Sequence, residues 1–282
     1  MTRNITNLLF VLWVLCIVKQ SECYKILAII ATPSYSHQIP YRRLWLELHN
    51  RGHEILLVTA NPMPNINSPN FTQIDVSQSY KIFRTLNFIE MKLNGDSWLQ
   101  IIENYGIPIT LVCAENVFNN TEFKKVYAPD SDAKFDILLT EYLYVPAIVG
   151  LAHRFDVPII GTCLIYIHGH SYSDGENFTT KKKTSTFERL SSLGLPAWNE
   201  HILGGLVLPS HESTWEMENK TGSNLPFLKR LWNFVSFWHF LHLLYTELLL
   251  VNQQLAEKYL GPLPPLTDIM KNTSMLFINQ AS

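Results

Sequence analysis

The chain has 282 residues, 47% of them hydrophobic and 16% charged, with a formal net charge of -2. This balance excludes a disordered chain and an electrostatic hold on nucleic acid, leaving small molecules, membrane or protein as partners. The length predicts one large domain, or one and a fraction, with a sizeable core.

At the N-terminus, Arg3 precedes an uninterrupted apolar run from Leu8 to Val18, followed by Ser21 and Cys23. Residues 1–23 therefore read as a signal peptide too short in its apolar part to span a bilayer, and residues 24–282 as the mature domain. Five sequons follow the leader, at Asn70, Asn119, Asn177, Asn219 and Asn272, in keeping with passage through the endoplasmic reticulum. Of the four cysteines, Cys16 and Cys23 fall in the leader. Cys113 and Cys163 allow one disulfide without demanding it, and Cys163 in "VPIIGTCLIY" reads as a small apolar residue of a buried strand.

The run "KILAII", Lys25 to Ile30, is β-branched and continuously apolar, as expected of a parallel strand covered on both faces. A loop with Pro33 and Pro40 follows, and the spacing Tyr41, Leu44, Trp45, Leu48 predicts a helix that Gly52 closes. "EILLVTA" is the next strand. The same grammar returns with a strand from Asp136 to Thr140, a helix around Val145 to Arg154 and a strand from Val157 to Thr162. Two such units predict an α/β fold, a Rossmann-like doubly wound parallel sheet.

Between them, Tyr80 to Tyr127 carries helical spacing at Trp98, Ile101, Ile102 and Tyr105. The run Lys181 to Lys183 reads as a solvated loop. From Leu231 to Val251, Leu231, Phe234, Phe237, Trp238, Leu241, Leu244, Leu248 and Leu249 share one side of a helical wheel. That pattern predicts an amphipathic helix, packed on the core or facing a membrane surface or ligand cavity, rather than a spanning one. "GPLPPLTD" ends it, and "SMLFINQ" is strand-like.

In doubly wound sheets ligands gather at the carboxyl ends of the strands. His37 follows the first strand and Glu141 the Asp136 to Thr140 strand, so the two could meet across a crevice as a general base and the carboxylate that orients it. Spacing alone leaves open that His37 is an ordinary surface histidine. His168 and His170 lack two further ligands for a metal site. Neither a P-loop, a GxGxxG fingerprint nor a nucleophile elbow is present.

The stretches "TPSYSHQIPYR", "FDILLTE" and "LFINQ" together resemble the N-terminal half of the UDP-glycosyltransferases, especially the insect members. The resemblance implies the acceptor-binding domain of a two-domain GT-B type enzyme of the endoplasmic reticulum, concerned with detoxification. His37 would be the base that takes a proton from a small lipophilic acceptor as it attacks sugar C1 with inversion. Glu141 would stand where many members carry Asp, and Tyr35, Ser36 and Gln38 would contact the acceptor. No cofactor is implied, because the UDP-sugar, UDP-glucose by expectation, is a co-substrate. The family would continue past "INQAS" into a UDP-sugar-binding domain and a membrane anchor, both absent here, so a non-catalytic ligand-binding form, or one paired with full-length relatives and open to secretion, is the alternative expectation.

Overall fold

The computed structural model describes residues 23–66, 68–85, 87–94, 100, 102–141, 145–163 and 226–278. The leader up to residue 22, Trp98, Ile101, the His168 to His170 motif, Asn177, the lysine run at 181–183, Asn219, the end of "LFINQ" and the side chains of Cys163 and Phe237 lie outside that description.

Among the described residues, six strands form one all-parallel sheet in the order β3-β2-β1-β4-β5-β6. They are β1 (Lys25–Ile30), β2 (Glu54–Thr59), β3 (Phe71–Asp75), β4 (Ile137–Glu141), β5 (Ile159–Cys163) and β6 (Thr273–Ile278). The fold is α/β and Rossmann-like, with the chain winding outward first through β2 and β3, then through β4, β5 and β6.

β1 shows why its sequence is apolar throughout. Leu27 and Ile29 point into a core shared with the helix Ile107–Asn119 and the C-terminal helices, while Ile26, Ala28 and Ile30 pack on Tyr41 and Trp45 of the helix Ile39–Asn50. Full burial of each large aliphatic chain contributes roughly 1.5–3 kcal/mol, and a strand with two covered faces gains this at every position. The helix Ile39–Asn50 ends as the sequence requires. Gly52, at φ 93°, donates to the His49 carbonyl and His53 to the Leu48 carbonyl, a paired closure that favours glycine at the left-handed position.

The structure shifts several sequence boundaries. β4 ends on Glu141 itself and starts one residue later than expected; just before it, the Asp136 carboxylate accepts the Lys25 backbone N–H at 2.6 Å. The expected helix after it opens as a 3-10 turn, Pro146–Val149, before the α-helix Gly150–Phe155. β5 begins at Ile159 rather than Val157, where Pro158 has no N–H for a ladder. β3 was not anticipated.

The C-terminal helix is longer than the wheel suggested. It runs through Phe227–Leu243, a π-helical segment Leu244–Leu248 and Leu249–Leu260. Within the π segment the Thr246 hydroxyl satisfies the His242 carbonyl at 2.7 Å. Only the C-terminal part of the apolar face packs on the core: Leu241, Leu244 and Leu249 are buried, whereas Leu231, Phe234 and Trp238 are exposed. Among the described residues no helix is long and apolar enough to cross a membrane.

Asn252, fully buried, fixes this helix. Its Oδ1 accepts the Ala147 N–H at 3.2 Å, and its Nδ2 donates to Thr110 Oγ1 at 3.2 Å and to the Leu248 carbonyl at 2.8 Å. One amide thus ties together the long helix, the helix Ile107–Asn119 and the turn that follows β4.

Candidate functional site

The strand order reverses between β1 and β4, and a crevice at their carboxyl ends is where a ligand finds converging loops. Both sequence-predicted residues of the pair lie there. His37 sits in the turn after β1, built by Ser34 N–H on the Thr32 carbonyl, His37 N–H on Ser34 and Gln38 N–H on Tyr35. Pro40 then starts the helix without wasting a donor.

His37 Nδ1 lies 2.6 Å from Glu141 Oε1, although 104 residues separate them. The His37 side chain is 18% exposed and that of Glu141 4%. Glu141 Oε2 is buried with no hydrogen-bond partner among the described residues. A buried carboxylate so sparsely compensated depends on its histidine. With the Nδ1 proton donated to the carboxylate, the lone pair of the ring resides on Nε2.

The three other expected residues divide. Tyr35 and Ser36 are exposed on the turn, with Ser36 Oγ 2.9 Å from Ser34 Oγ. The Arg42 guanidinium lies 4.8 Å from the Tyr35 ring centroid and also donates to the Asn61 carbonyl at 3.3 Å, fixing the ring over the helix start. Gln38 instead is buried beneath the turn, where its amide donates to the Thr32 carbonyl at 3.4 Å and accepts from Thr59 Oγ1 at 2.5 Å. It holds the His37 turn to the end of β2.

Sequence reasoning missed what lies under Glu141. The thiol of Cys113, buried in the helix Ile107–Asn119, is free of any disulfide. Burial, and then the negative charge of Glu141, push its pKa up to about 12, against a smaller lowering by its hydrogen bond with Ser79. Asn116 Nδ2 donates to Ser79 Oγ at 2.9 Å. Nothing in the spacing announces this neighbour, since residues 113 and 141 meet only through the crossover.

Cys113 makes an alkaline prediction. Its thiol ionises in the unfolded chain from about 9.0 but in the folded one only near 12. The unfolded state therefore sheds the proton first, and stability falls with rising pH inside that window. Urea unfolding of wild type and Cys113→Ala at pH 8 and pH 10 is expected to show the stability gap between them narrowing by about 1 kcal/mol at the higher pH. A gap of constant size would contradict the buried, charge-facing thiol. Tyr127, also raised to about 12 by burial and by Tyr259, contributes equally to both proteins.

Elsewhere, His239 Nε2 lies 3.1 Å from Glu103 Oε1, joining the long helix to the π-helical segment Ile102–Gly106. A separate groove of about 490 Å³ lies at the opposite, amino-terminal end of β5, lined by His153, Asp156, Pro158, Asp268 and Asn272 among others. It is too remote to serve the His37 pair. No group of three or more metal-ligating side chains occurs among the described residues.

No family model matches the chain. It is 24% identical over 277 residues to the ecdysteroid UDP-glucosyltransferase of Mamestra brassicae nuclear polyhedrosis virus, a match covering 89% of this chain and 49% of that protein. It is 22% identical over 289 residues to a putative UDP-glucuronosyltransferase of Caenorhabditis elegans, covering 96% of this chain and 48% of the relative. A UDP-glycosyltransferase of Dactylopius coccus matches at 25% over 137 residues, 48% of this chain and 26% of that protein. The chain spans about half the length, or less, of these curated relatives.

Proposed function

We propose, on the UDP-glycosyltransferase family that these relatives support, that the chain forms the acceptor side of such an enzyme, with His37 as general base. The observation that carries this reading is the 2.6 Å bond between His37 Nδ1 and Glu141 Oε1 at the switch point of the sheet.

Glu141 holds the ring in the tautomer whose Nε2 faces an acceptor hydroxyl, and its buried charge stabilises the imidazolium. The hydroxyl proton passes to Nε2 as the oxygen attacks sugar C1. The C1–O bond to the β-phosphate breaks, and UDP leaves with the electron pair. A single displacement from the opposite face inverts the anomeric centre. Near-attack positioning of donor and acceptor is a large part of such catalysis, so turnover needs a donor-binding half facing this crevice.

The acceptor is read as a small lipophilic alcohol or phenol and the donor as UDP-glucose, in line with the name of the viral relative. Tyr35 and Ser36 are its proposed contacts, with Gln38 acting through the turn that it holds. The apolar leader is read as taking the chain into the lumen of the endoplasmic reticulum, with Leu231, Phe234 and Trp238 available to a membrane surface.

Calorimetric titration of the chain with lipophilic phenols is expected to show binding, and UDP-glucose alone to show little. In a protein completed with a donor-binding half, Glu141→Gln is expected to lower turnover by about tenfold or more, yet by less than loss of the histidine, because it disturbs orientation rather than proton transfer. Unchanged turnover in Glu141→Gln would remove Glu141 from the mechanism.

A further inference from the structure

The two edges of the sheet share a feature. β3 is entered directly from Asn70, the first residue of Asn70-Phe71-Thr72, and β6 directly from Asn272, the first residue of Asn272-Thr273-Ser274. We propose that Asn70 and Asn272 each carry an N-linked oligosaccharide, so that the two outermost strands of the sheet formed by the described residues are shielded while the His37 rim stays clear. This rests on the luminal reading above.

Asn70 and Asn272 are exposed, and so are the hydroxyl residues that complete their sequons, Thr72 and Ser274. Neither asparagine amide is used in a side-chain hydrogen bond among the described residues. Asn119 and Thr121 are exposed as well, but Asn119 differs in its helical setting and in the use of its amide. It closes the helix Ile107–Asn119, Thr121 begins the next helix, and its Nδ2 donates at 2.8 Å to the hydroxyl of Tyr259, whose ring stacks on the buried Phe118 at 5.1 Å. A transferase acting on Asn119 would have to draw its amide away from that hydroxyl.

An edge strand presents unpaired backbone groups to any other strand, and bulk placed at the edge blocks such pairing. β6 has the greater need, since Met275 is 52% and Phe277 41% exposed. Because all six strands are parallel, both asparagines lie at the amino-terminal end of the sheet, whereas His37 and Glu141 lie at the carboxyl end. With a rise of about 3.3 Å per residue, a strand length separates glycan from crevice.

The transfer draws on a lipid-linked pyrophosphoryl oligosaccharide. A bond forms between sugar C1 and the amide Nδ2, the C1–O bond to the pyrophosphate breaks with its electron pair leaving on oxygen, and the nitrogen loses one proton.

The test translates the full chain with endoplasmic-reticulum microsomes and releases glycans enzymatically in heavy-oxygen water, which tags each formerly modified asparagine for peptide mapping. Tags on Asn70 and Asn272 and none on Asn119 are expected, and Asn70→Gln, Thr72→Ala and Asn272→Gln are each expected to remove one glycan's mass step. A chain protected from added protease but untagged at Asn70 or Asn272 overturns the proposal and leaves the luminal reading standing. A tag on Asn119 overturns the selection among sequons. A protease-sensitive chain without glycans overturns the luminal reading and the proposal together.

Discussion

Replacing His37 with alanine, in a protein completed by a donor-binding half, is expected to lower kcat by about 10²–10⁴ with little change in acceptor affinity, since general-base assistance is worth that much in a transition state and nothing in binding. Alanine has a second effect that must be separated from the first. It leaves the Glu141 carboxylate, 4% exposed, without its only ion partner among the described residues, and stranding a buried charge costs about 3–5 kcal/mol. His37→Gln separates the two. A glutamine amide can still donate to Glu141 but cannot accept the acceptor's proton, so both variants are expected to lose turnover and only alanine to lose much stability. If His37→Gln retained most of the turnover, the base would have to be another group.

Replacing Asn252 with leucine is expected to destabilise the fold by about 2–4 kcal/mol, read from the midpoint of urea unfolding, because a buried donor or acceptor left unmade costs about 1–3 kcal/mol each. Leucine deprives the Ala147 N–H of its acceptor and the Thr110 hydroxyl oxygen of its donor at once, leaving that hydroxyl only its own bond to the Ile107 carbonyl. Leu250→Ala, two residues away at an exposed position, is the control and is expected to stay near neutral. Since Ala147 lies in the turn Pro146–Val149 that follows β4, the same change is expected to loosen the end of the strand that carries Glu141. An Asn252→Leu protein as stable as wild type would mean that the amide is not the fastening.

The parts legible in the sequence are those in which local signals agree. β1, β2, β4 and β5 are continuous apolar runs, and Gly52 stands where the helix Ile39–Asn50 needs a left-handed residue. The meeting of His37 and Glu141 was legible in outline because a topological rule, rather than any local pattern, sends both to the same rim. β3 was not, since of Phe71 to Asp75 only Phe71 and Ile74 are buried and the rest reads as turn. Each π-helical segment fits an extra residue into its turn and shifts the phase of the face by one position, too short a change for a count along the chain to reveal. The bond that holds Gln38 beneath the turn was not legible, because its partner Thr59 lies 21 residues away on the next strand. On the long helix the sequence shows an apolar face, yet which of its residues pack inward depends on where the sheet ends beneath it.

The pairing of β1 with β4 has a consequence in time. These neighbours at the middle of the sheet are joined last among the first four strands, since β2 and β3 can add to β1 before β4 exists as a chain segment. Closing so long a loop is entropically slow, and parallel pairings wait on it. A growing polypeptide that has emerged only through β3 holds His37 in its turn with no carboxylate to meet. The His37–Glu141 pair therefore forms only with the closure of the sheet, and a partly folded intermediate that lacks β4 cannot hold it, however native its first half has become.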